Sequence, residues 1–160
     1  MANLPALQIQ RAGPEHAEAV RDLVRAAYAR WVPIIGREPL PMTADYAQAV
    51  RAHHIDLFHA NGEFVALIEY LAHADHLFIE NIAIAPAHQR QGLGRILLAH
   101  AEAMACKANL AQLRLLTNEA MVANIPLYRS EGFAVDRTES RPQLGATVYM
   151  SKTLPRLRAP

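Results

Sequence analysis

The chain has 160 residues, of which 52% are hydrophobic and 19% are charged. This globular composition excludes intrinsic disorder, and a chain of this length buries enough surface to fold without a metal or disulfide. Its 16 Lys and Arg against 15 Asp and Glu give a net charge of +1, so no global field favours nucleic acid or a membrane surface. The chain has a single cysteine, Cys106, and begins without a basic or long apolar segment. No run approaches the roughly 20 apolar residues of a membrane span. These features predict a cytoplasmic location.

The pattern of apolar and polar residues predicts a mixed α/β chain. Prolines interrupt the early part, Asn61-Gly62 is typical of a tight hairpin turn, and Asn109 is suited to a left-handed helix end. In chain order, the predicted elements are a strand (Leu7–Arg11), a helix (Pro14 to about Trp31), a loop (Pro33–Met42), a helix capped by Thr43 or Asp45 and ending near His53, strands at Ile55–His59, Glu63–Ala72 and His76–Ala85, a helix (Gly92 to about Ala108), a strand (Leu110–Thr117), a helix ending at Gly132, and strands at Phe133–Arg137 and Ala146–Lys152.

These elements predict one domain over residues 1–160, without repeats or linkers. We expect a mixed, largely antiparallel sheet of six to seven strands flanked by about four helices. The proline-rich stretch is a candidate rim of a substrate pocket.

The most informative segment is the turn between the third strand of the central group and the long helix. It reads Gln89-Arg90-Gln91-Gly92-Leu93-Gly94-Arg95. Glycines let a ligand approach the backbone, and the free N–H groups at a helix start attract anions, so this turn is suited to a pyrophosphate. Arg90 and Arg95 would add charge-assisted hydrogen bonds.

Taken alone, a Gly-x-Gly turn is a weak signal. A helix start that contains glycine, with arginines on a solvated face, is the structural alternative. A dinucleotide-binding fold would need a third glycine, and a nucleotide-binding P-loop would need Lys-Ser/Thr after the glycines; both are absent here.

Two motifs resemble the GNAT superfamily of N-acetyltransferases. Gln89-Arg90-Gln91-Gly92-Leu93-Gly94 is similar to its Gln/Arg-x-x-Gly-x-Gly/Ala motif, and Ile82-Ala83-Ile84-Ala85-Pro86 is similar to the strand end before it. Leu127-Tyr128-Arg129-Ser130-Glu131-Gly132-Phe133 is similar to the second hallmark. The element order also agrees, so the resemblance covers nearly the whole chain.

This resemblance implies a sheet splayed between its fourth and fifth strands, with acetyl-CoA as cosubstrate. The backbone of Ile82, Ala83 and Ile84 would bind the pantetheine arm and the acetyl carbonyl. The turn would bind the pyrophosphate through Gln89, Arg90, Gln91, Gly92, Leu93, Gly94 and Arg95.

The resemblance also implies two catalytic candidates. Tyr128 matches the family's tyrosine that protonates the leaving thiolate, since a phenol with a pKa of about 10 stays protonated at neutral pH; packing in the core is its alternative role. Glu80 is the candidate base, directly or through water. Its apolar neighbours favour burial, whereas strand alternation would turn it to solvent. Glu119, His73 and His76 are lesser candidates.

The resemblance departs from the family pattern near this tyrosine. Many members carry an asparagine seven residues before it, where this chain has Met121. Asn124 would cap the helix, bind cofactor, or do both, and Asn118 is a further cofactor contact. Trp31 and Tyr46 are candidate substrate contacts, or simply pack two helices on the sheet.

We expect an acyltransferase that moves acetyl to a primary amine of a small molecule or peptide, with no metal, nucleic-acid or membrane partner. The histidines lack metal-ligand spacing, and Cys106 is expected to be structural. A non-catalytic acyl-CoA-binding module and a transferase using another acyl-CoA remain alternatives. The acceptor and the oligomeric state, a homodimer included, stay open.

Overall fold

A computed structural model describes residues 5–155 of the chain. Within that range it contains seven strands and six helices, together with short 3₁₀ turns at Pro14–His16, Ala29–Trp31 and Pro86–His88. The strands are β1 (Leu7–Arg11), β2 (His54–Ala60), β3 (Glu63–Ala72), β4 (Leu77–Ile84), β5 (Gln112–Asn118), β6 (Ala134–Arg141) and β7 (Gly145–Thr153). The helices are α1 (Ala17–Tyr28), α2 (Val32–Ile35), α3 (Leu40–Thr43), α4 (Tyr46–Ala52), α5 (Leu93–Lys107) and α6 (Asn124–Ser130).

The strands form one sheet in the order β1-β2-β3-β4-β5-β7-β6. The pairs β1–β2, β2–β3, β5–β7 and β6–β7 are antiparallel, whereas β4 and β5 are parallel. The predicted mixed, largely antiparallel sheet is therefore confirmed. The β4–β5 ladder joins Leu77–Ile79 to Leu113–Leu115, and the splay expected between these two strands stays a prediction.

The described part of the chain divides into two compact units, one formed by residues 5–70 and 81–97 and the other by residues 71–80 and 98–155. The single domain expected over residues 1–160 stays a prediction. Among the described residues, no helix is both long enough and apolar enough to cross a bilayer.

The first unit packs the apolar faces of α1 and α4 onto β2 and β3. Helix α1 buries residues spaced three and four apart, as an amphipathic helix does. Asp45 begins α4 by accepting a hydrogen bond from the Gln48 N–H at 3.1 Å. The core residues of this unit are Ala12, Val20, Leu23, Val24, Ala27, Tyr46, Ala49, Val50, Ile55, Leu57, Leu67 and Ala83.

The second unit is built on β5 and β7. Inward-facing Leu113, Leu115, Val148 and Met150 alternate with more exposed residues, as the pleat of a sheet requires. Strand β6 stands at one end of the sheet order and is exposed along nearly its whole length. Its surface carries Asp136, Arg137, Glu139 and Arg141.

In the N-terminal half, the loop expected at Pro33–Met42 was wrong, and of the two residues offered as caps of α4 only one has that role. The stretch Pro33–Met42 is not an irregular loop, because it contains most of α2 and the first part of α3. Prolines sit in the first turns of both helices, where the missing N–H has no intrahelical partner to lose. Thr43 ends α3 and does not cap α4, a role taken by Asp45 alone.

The end of α5 agrees with its prediction. Asn109 has φ of 58°, and the Leu110 N–H donates to the Ala105 carbonyl at 2.9 Å. A left-handed asparagine with a bond back to the last turn is a common helix stop.

Candidate functional site

The turn before α5 combines a 3₁₀ turn with two left-handed residues. Pro86–His88 forms the 3₁₀ turn, Arg90 has φ of 62° and Gly92 has φ of 86°. A glycine adopts this conformation without strain, whereas Arg90 pays a steric penalty. The chain therefore reverses sharply between the end of β4 and Leu93, where α5 begins.

The head of α5 presents main-chain donors. The Ile96 N–H donates to the Gly92 carbonyl at 3.4 Å, but over residues 5–155 no acceptor meets the N–H groups of Gly92, Leu93 and Gly94. A helix N-terminus carries partial positive charge, and Arg90 is exposed beside it. The donor set fits an anion such as a diphosphate.

Two glutamine side chains of this turn bond to the protein itself. Gln89 Nε2 donates to the Ile84 carbonyl at 3.0 Å, and Gln89 Oε1 accepts from Arg30 Nη1 at 3.0 Å. Gln91 Nε2 donates to the Ala87 carbonyl at 3.3 Å. These side chains hold the shape of the turn, while the exposed Arg95 lies on the first turn of α5.

The strand before the turn is anchored by a residue that sequence reasoning missed. Asn81 is 3% exposed; its Oδ1 accepts from the Tyr28 hydroxyl at 2.8 Å and its Nδ2 donates to the Tyr46 hydroxyl at 3.2 Å. Ala83 is buried, whereas Ile82 and Ile84 are half-buried. The available signal was the pair of adjacent polar residues Glu80 and Asn81 in this strand, of which alternation places one on the buried face.

The two candidate substrate contacts are both buried. Trp31 is 7% exposed and Tyr46 is 3% exposed. The Arg30 guanidinium lies 4.3 Å from the Trp31 ring centroid, and the Tyr46 hydroxyl donates to the Pro41 carbonyl at 2.6 Å. These contacts agree with the packing alternative, and a contact with substrate stays a prediction.

Glu80 is exposed, between buried Ile79 and Asn81. Of the two orientations that the sequence left open, the structure shows the solvent-facing one, as strand alternation requires. The carboxylate is accessible to water, and its role as a base stays a prediction.

Tyr128 is a buried phenol in α6. It is 9% exposed, with its ring centroid 5.9 Å from that of Phe133. Burial raises the pKa of Tyr128 to about 12. Its hydroxyl makes no hydrogen bond to another residue in the described part of the chain, and the hydroxyl oxygen is not among the buried atoms there that lack a partner.

Asn124 is the first residue of α6, not its cap, because Ala123 holds the N-cap position. Of the roles left open for Asn124, capping of α6 is therefore excluded. Asn124 Nδ2 instead donates to the buried Thr117 Oγ1 at 3.2 Å. Asn118 Oδ1 accepts from the Ala120 N–H at 2.9 Å, and cofactor contacts of both asparagines stay predictions.

The remaining polar candidates do not assemble into a centre. His73 and His76 stack with centroids 4.6 Å apart, and His76 Nδ1 lies 2.7 Å from Asp75 Oδ1. Glu119 is exposed and Cys106 is half-buried. No group of three or more His, Cys, Asp or Glu side chains suited to a metal occurs among residues 5–155.

The sequence profile of the Acetyltransferase (GNAT) family matches residues 18–133, and the chain belongs to this family. Streptothricin acetyltransferase of Streptomyces lavendulae is 32% identical over 96 residues, which are 56% of this chain and 51% of that protein. The [ribosomal protein bS18]-alanine N-acetyltransferase of Escherichia coli K12 is 40% identical over 73 residues, 46% of this chain and 49% of that protein. The chain spans about half the length of these curated relatives.

Solved structures agree on the fold. The ribosomal-protein-S18-alanine N-acetyltransferase of Escherichia coli has a TM-score of 0.77 at 23% identity, covering 95% of this chain and 96% of that one. The PaiA N-acetyltransferase of Thermoplasma acidophilum, in complex with coenzyme A, has a TM-score of 0.78 at 17% identity, covering 92% and 99%. The expected GNAT resemblance and fold class are confirmed.

Proposed function

We propose that this chain is an N-acetyltransferase that transfers acetyl from acetyl-CoA to a primary amine, by direct attack in a ternary complex. The observation that carries the proposal is the set of N–H groups at Gly92, Leu93 and Gly94, which lack acceptors among the described residues and stand beside the exposed Arg90. A coenzyme diphosphate supplies the oxygens such donors require. The coenzyme A complex of the PaiA relative supports the same cosubstrate.

The acceptor is a small molecule or a peptide. One relative is named for streptothricin and another for an alanine of ribosomal protein bS18. These acceptors differ greatly in size. The family relationship therefore supports an amine as the acceptor group and does not identify the molecule that carries it.

The chain's contribution to catalysis is positioning and proton transfer. Glu80, directly or through water, removes a proton from the ammonium group, and the amine nitrogen then attacks the thioester carbonyl carbon. Main-chain N–H groups of the Ile82–Ile84 stretch stabilise the developing oxyanion. As the carbon–sulfur bond breaks, Tyr128 donates its proton to sulfur and is reprotonated by the proton released from nitrogen.

The hydroxyl of Tyr128 is available as a proton donor, because it makes no hydrogen bond within residues 5–155 and a phenol is protonated throughout the neutral range. Burial raises its pKa to about 12, which makes it a weaker acid, so it transfers its proton only as negative charge develops on sulfur. The exposure of Glu80 supports relay of the amine proton through water.

The first test is binding of coenzyme A, measured by calorimetry or thermal shift. We expect stabilisation of the folded chain by coenzyme A and acetyl-CoA; no binding of either would overturn the proposal.

The second test is an amine library with acetyl-CoA and detection of free thiol. Binding without turnover of any amine would favour a non-catalytic acyl-CoA module, and competition with succinyl- and propionyl-CoA would identify another donor.

Glu80→Gln tests the base. With an amine found in that library, we expect turnover to fall about 100-fold, since general bases contribute on that order. Glu18→Gln is the matched control, because Glu18 is an exposed carboxylate on α1 and its loss removes the same charge. Equal turnover in the two variants would exclude Glu80 as the base.

A further inference from the structure

A tyrosine of α1 holds a main-chain carbonyl of β4. The Tyr28 hydroxyl lies 3.1 Å from the Ile82 carbonyl oxygen and 2.8 Å from Asn81 Oδ1. Its single proton is shared between these two acceptors. The Tyr28 ring packs against the core of the first unit, and this packing limits the positions that the hydroxyl can occupy.

Asn81 keeps this arrangement in register. Its buried amide is held on both sides, since Oδ1 accepts from Tyr28 and Nδ2 donates to the Tyr46 hydroxyl, which itself donates to the Pro41 carbonyl. Hydrogen bonds on both the oxygen and the nitrogen of a buried amide favour one conformation of the side chain. Hydrogen bonds therefore hold the backbone on both sides of the Asn81–Ile82 peptide bond, at the Asn81 side chain and at the Ile82 carbonyl.

These contacts lie on one edge of β4. The Ala85 N–H donates to the Val65 carbonyl of β3 at 2.8 Å, so the polar groups of Ala85 face β3. Because polar groups alternate along a strand, those of Ile84 and Ile82 face the opposite edge. Both carbonyls on this edge are met by side-chain donors, Ile84 by Gln89 and Ile82 by Tyr28. The Ile82 N–H points to the same edge as its carbonyl.

We propose that Tyr28 is a positioning residue that fixes the direction of the Ile82 N–H by holding the Ile82 carbonyl. This inference rests on the proposed function, in which that N–H meets the acyl carbonyl of acetyl-CoA. A donor fixed before the reaction stabilises developing charge without reorganising. Loss of the Tyr28 hydroxyl therefore weakens recognition of the acyl group and leaves the rest of the coenzyme bound.

The contact itself is testable without any ligand. The sequence contains two Ile-Ala peptide bonds, Ile82–Ala83 and Ile84–Ala85. A chain labelled with carbonyl-¹³C isoleucine and ¹⁵N alanine gives one amide-to-carbonyl NMR signal for each. In Tyr28→Phe we expect the Ile82 carbonyl signal to move upfield on losing its donor, while the Ile84 signal, held by Gln89, stays in place and shows that the fold is intact.

The effect on acyl recognition is measured by calorimetry with coenzyme A and acetyl-CoA. In Tyr28→Phe we expect acetyl-CoA affinity to fall about fivefold, the order of one hydrogen bond, and coenzyme A affinity to stay within about twofold. Tyr70→Phe is the matched control, because the Tyr70 hydroxyl donates to buried Asp56 at 2.8 Å in the same unit. It should lower the melting temperature and leave both affinities unchanged.

An unmoved Ile82 signal overturns the inference. Equal weakening of both coenzymes, or no weakening of either, overturns it as well. If the unaltered chain binds neither coenzyme, the proposed function fails and the acyl role of Tyr28 fails with it. If the unaltered chain binds both coenzymes and only the results expected for Tyr28→Phe are not observed, the inference about Tyr28 fails and the proposed function does not.

Discussion

The side chain of Gln89 ties the turn before α5 to the strand before it, because its amide nitrogen donates to the Ile84 carbonyl at 3.0 Å. Its oxygen is used as well, accepting from Arg30. The glutamine that opens the glycine motif is therefore explained by contacts inside the protein. A direct contact of Gln89 with the coenzyme stays a prediction.

Gly92→Ala tests whether that conformation matters for binding. Gly92 has φ of 86° and nothing lies within 4 Å of an added Cβ, so the substitution strains the backbone by about 1–2 kcal/mol without a clash. We expect a lower free energy of unfolding and about tenfold weaker binding of coenzyme A, measured by calorimetry.

Gly62→Ala is the control for Gly92→Ala. Gly62 has φ of 80° with equally open surroundings, but lies in the turn between β2 and β3. It should lose similar stability and keep the coenzyme affinity. If Gly92→Ala bound coenzyme A as well as the unaltered chain does, the turn would not be the diphosphate site.

Arg90→Gln tests the charge beside the turn. We expect about fivefold weaker coenzyme A binding at low salt, with a difference that shrinks as ionic strength rises, since exposed charges are screened. Arg21→Gln on α1 removes the same charge from another exposed position. An equal loss in both variants would point to net charge and not to this site.

Tyr128→Phe tests the acid. We expect turnover to fall about 100-fold with an unchanged KM for acetyl-CoA. Stability should not decrease, because the removed hydroxyl has no hydrogen-bond partner in the described chain. Tyr149→Phe, which removes a hydroxyl bonded to Glu139 at 2.9 Å, should keep full turnover. Undiminished turnover in Tyr128→Phe would assign the protonation step to another group.

Burial of Tyr128 also predicts a loss of stability at alkaline pH. Its pKa is raised from 10.0 to about 12 in the folded chain, so between these values the unfolded chain has released a proton that the folded chain still holds. The contribution is complete below pH 10 and is lost by pH 12, at about 3 kcal/mol.

Urea unfolding of the chain and of Tyr128→Phe at several pH values from 9 to 12 measures this contribution. The variant should lose stability less steeply. Some alkaline loss remains in both, because burial also raises the pKa of Tyr70. Parallel curves for the two proteins would contradict the predicted pKa of Tyr128.

Local signals in the sequence predicted most of the fold. Asn109 marked the end of α5, and Asn61-Gly62 marked the β2–β3 hairpin. The order of the seven strands along the chain followed from the spacing of hydrophobic residues. The stretch Pro33–Met42 misled, because prolines within a first helical turn resemble prolines in a loop when only composition is considered.

Long-range contacts lay beyond sequence reasoning. The pairing of Tyr28 with Asn81 spans 53 positions, and nothing local to either residue specifies it. The exposure of Glu80 depends on strand register, which its apolar neighbours do not reveal. The glycine motif, in contrast, was recognisable because its chemistry is carried by backbone conformation at adjacent positions.

The charged side chains along β6 bear on how this protein behaves when concentrated. An outer strand with unpaired main-chain groups invites a strand from another molecule, the first step toward fibrous aggregates. Asp136, Arg137, Glu139 and Arg141 would lose hydration in such a contact. The charged residues of β6 therefore disfavour edge-to-edge pairing of this strand with a strand of another molecule.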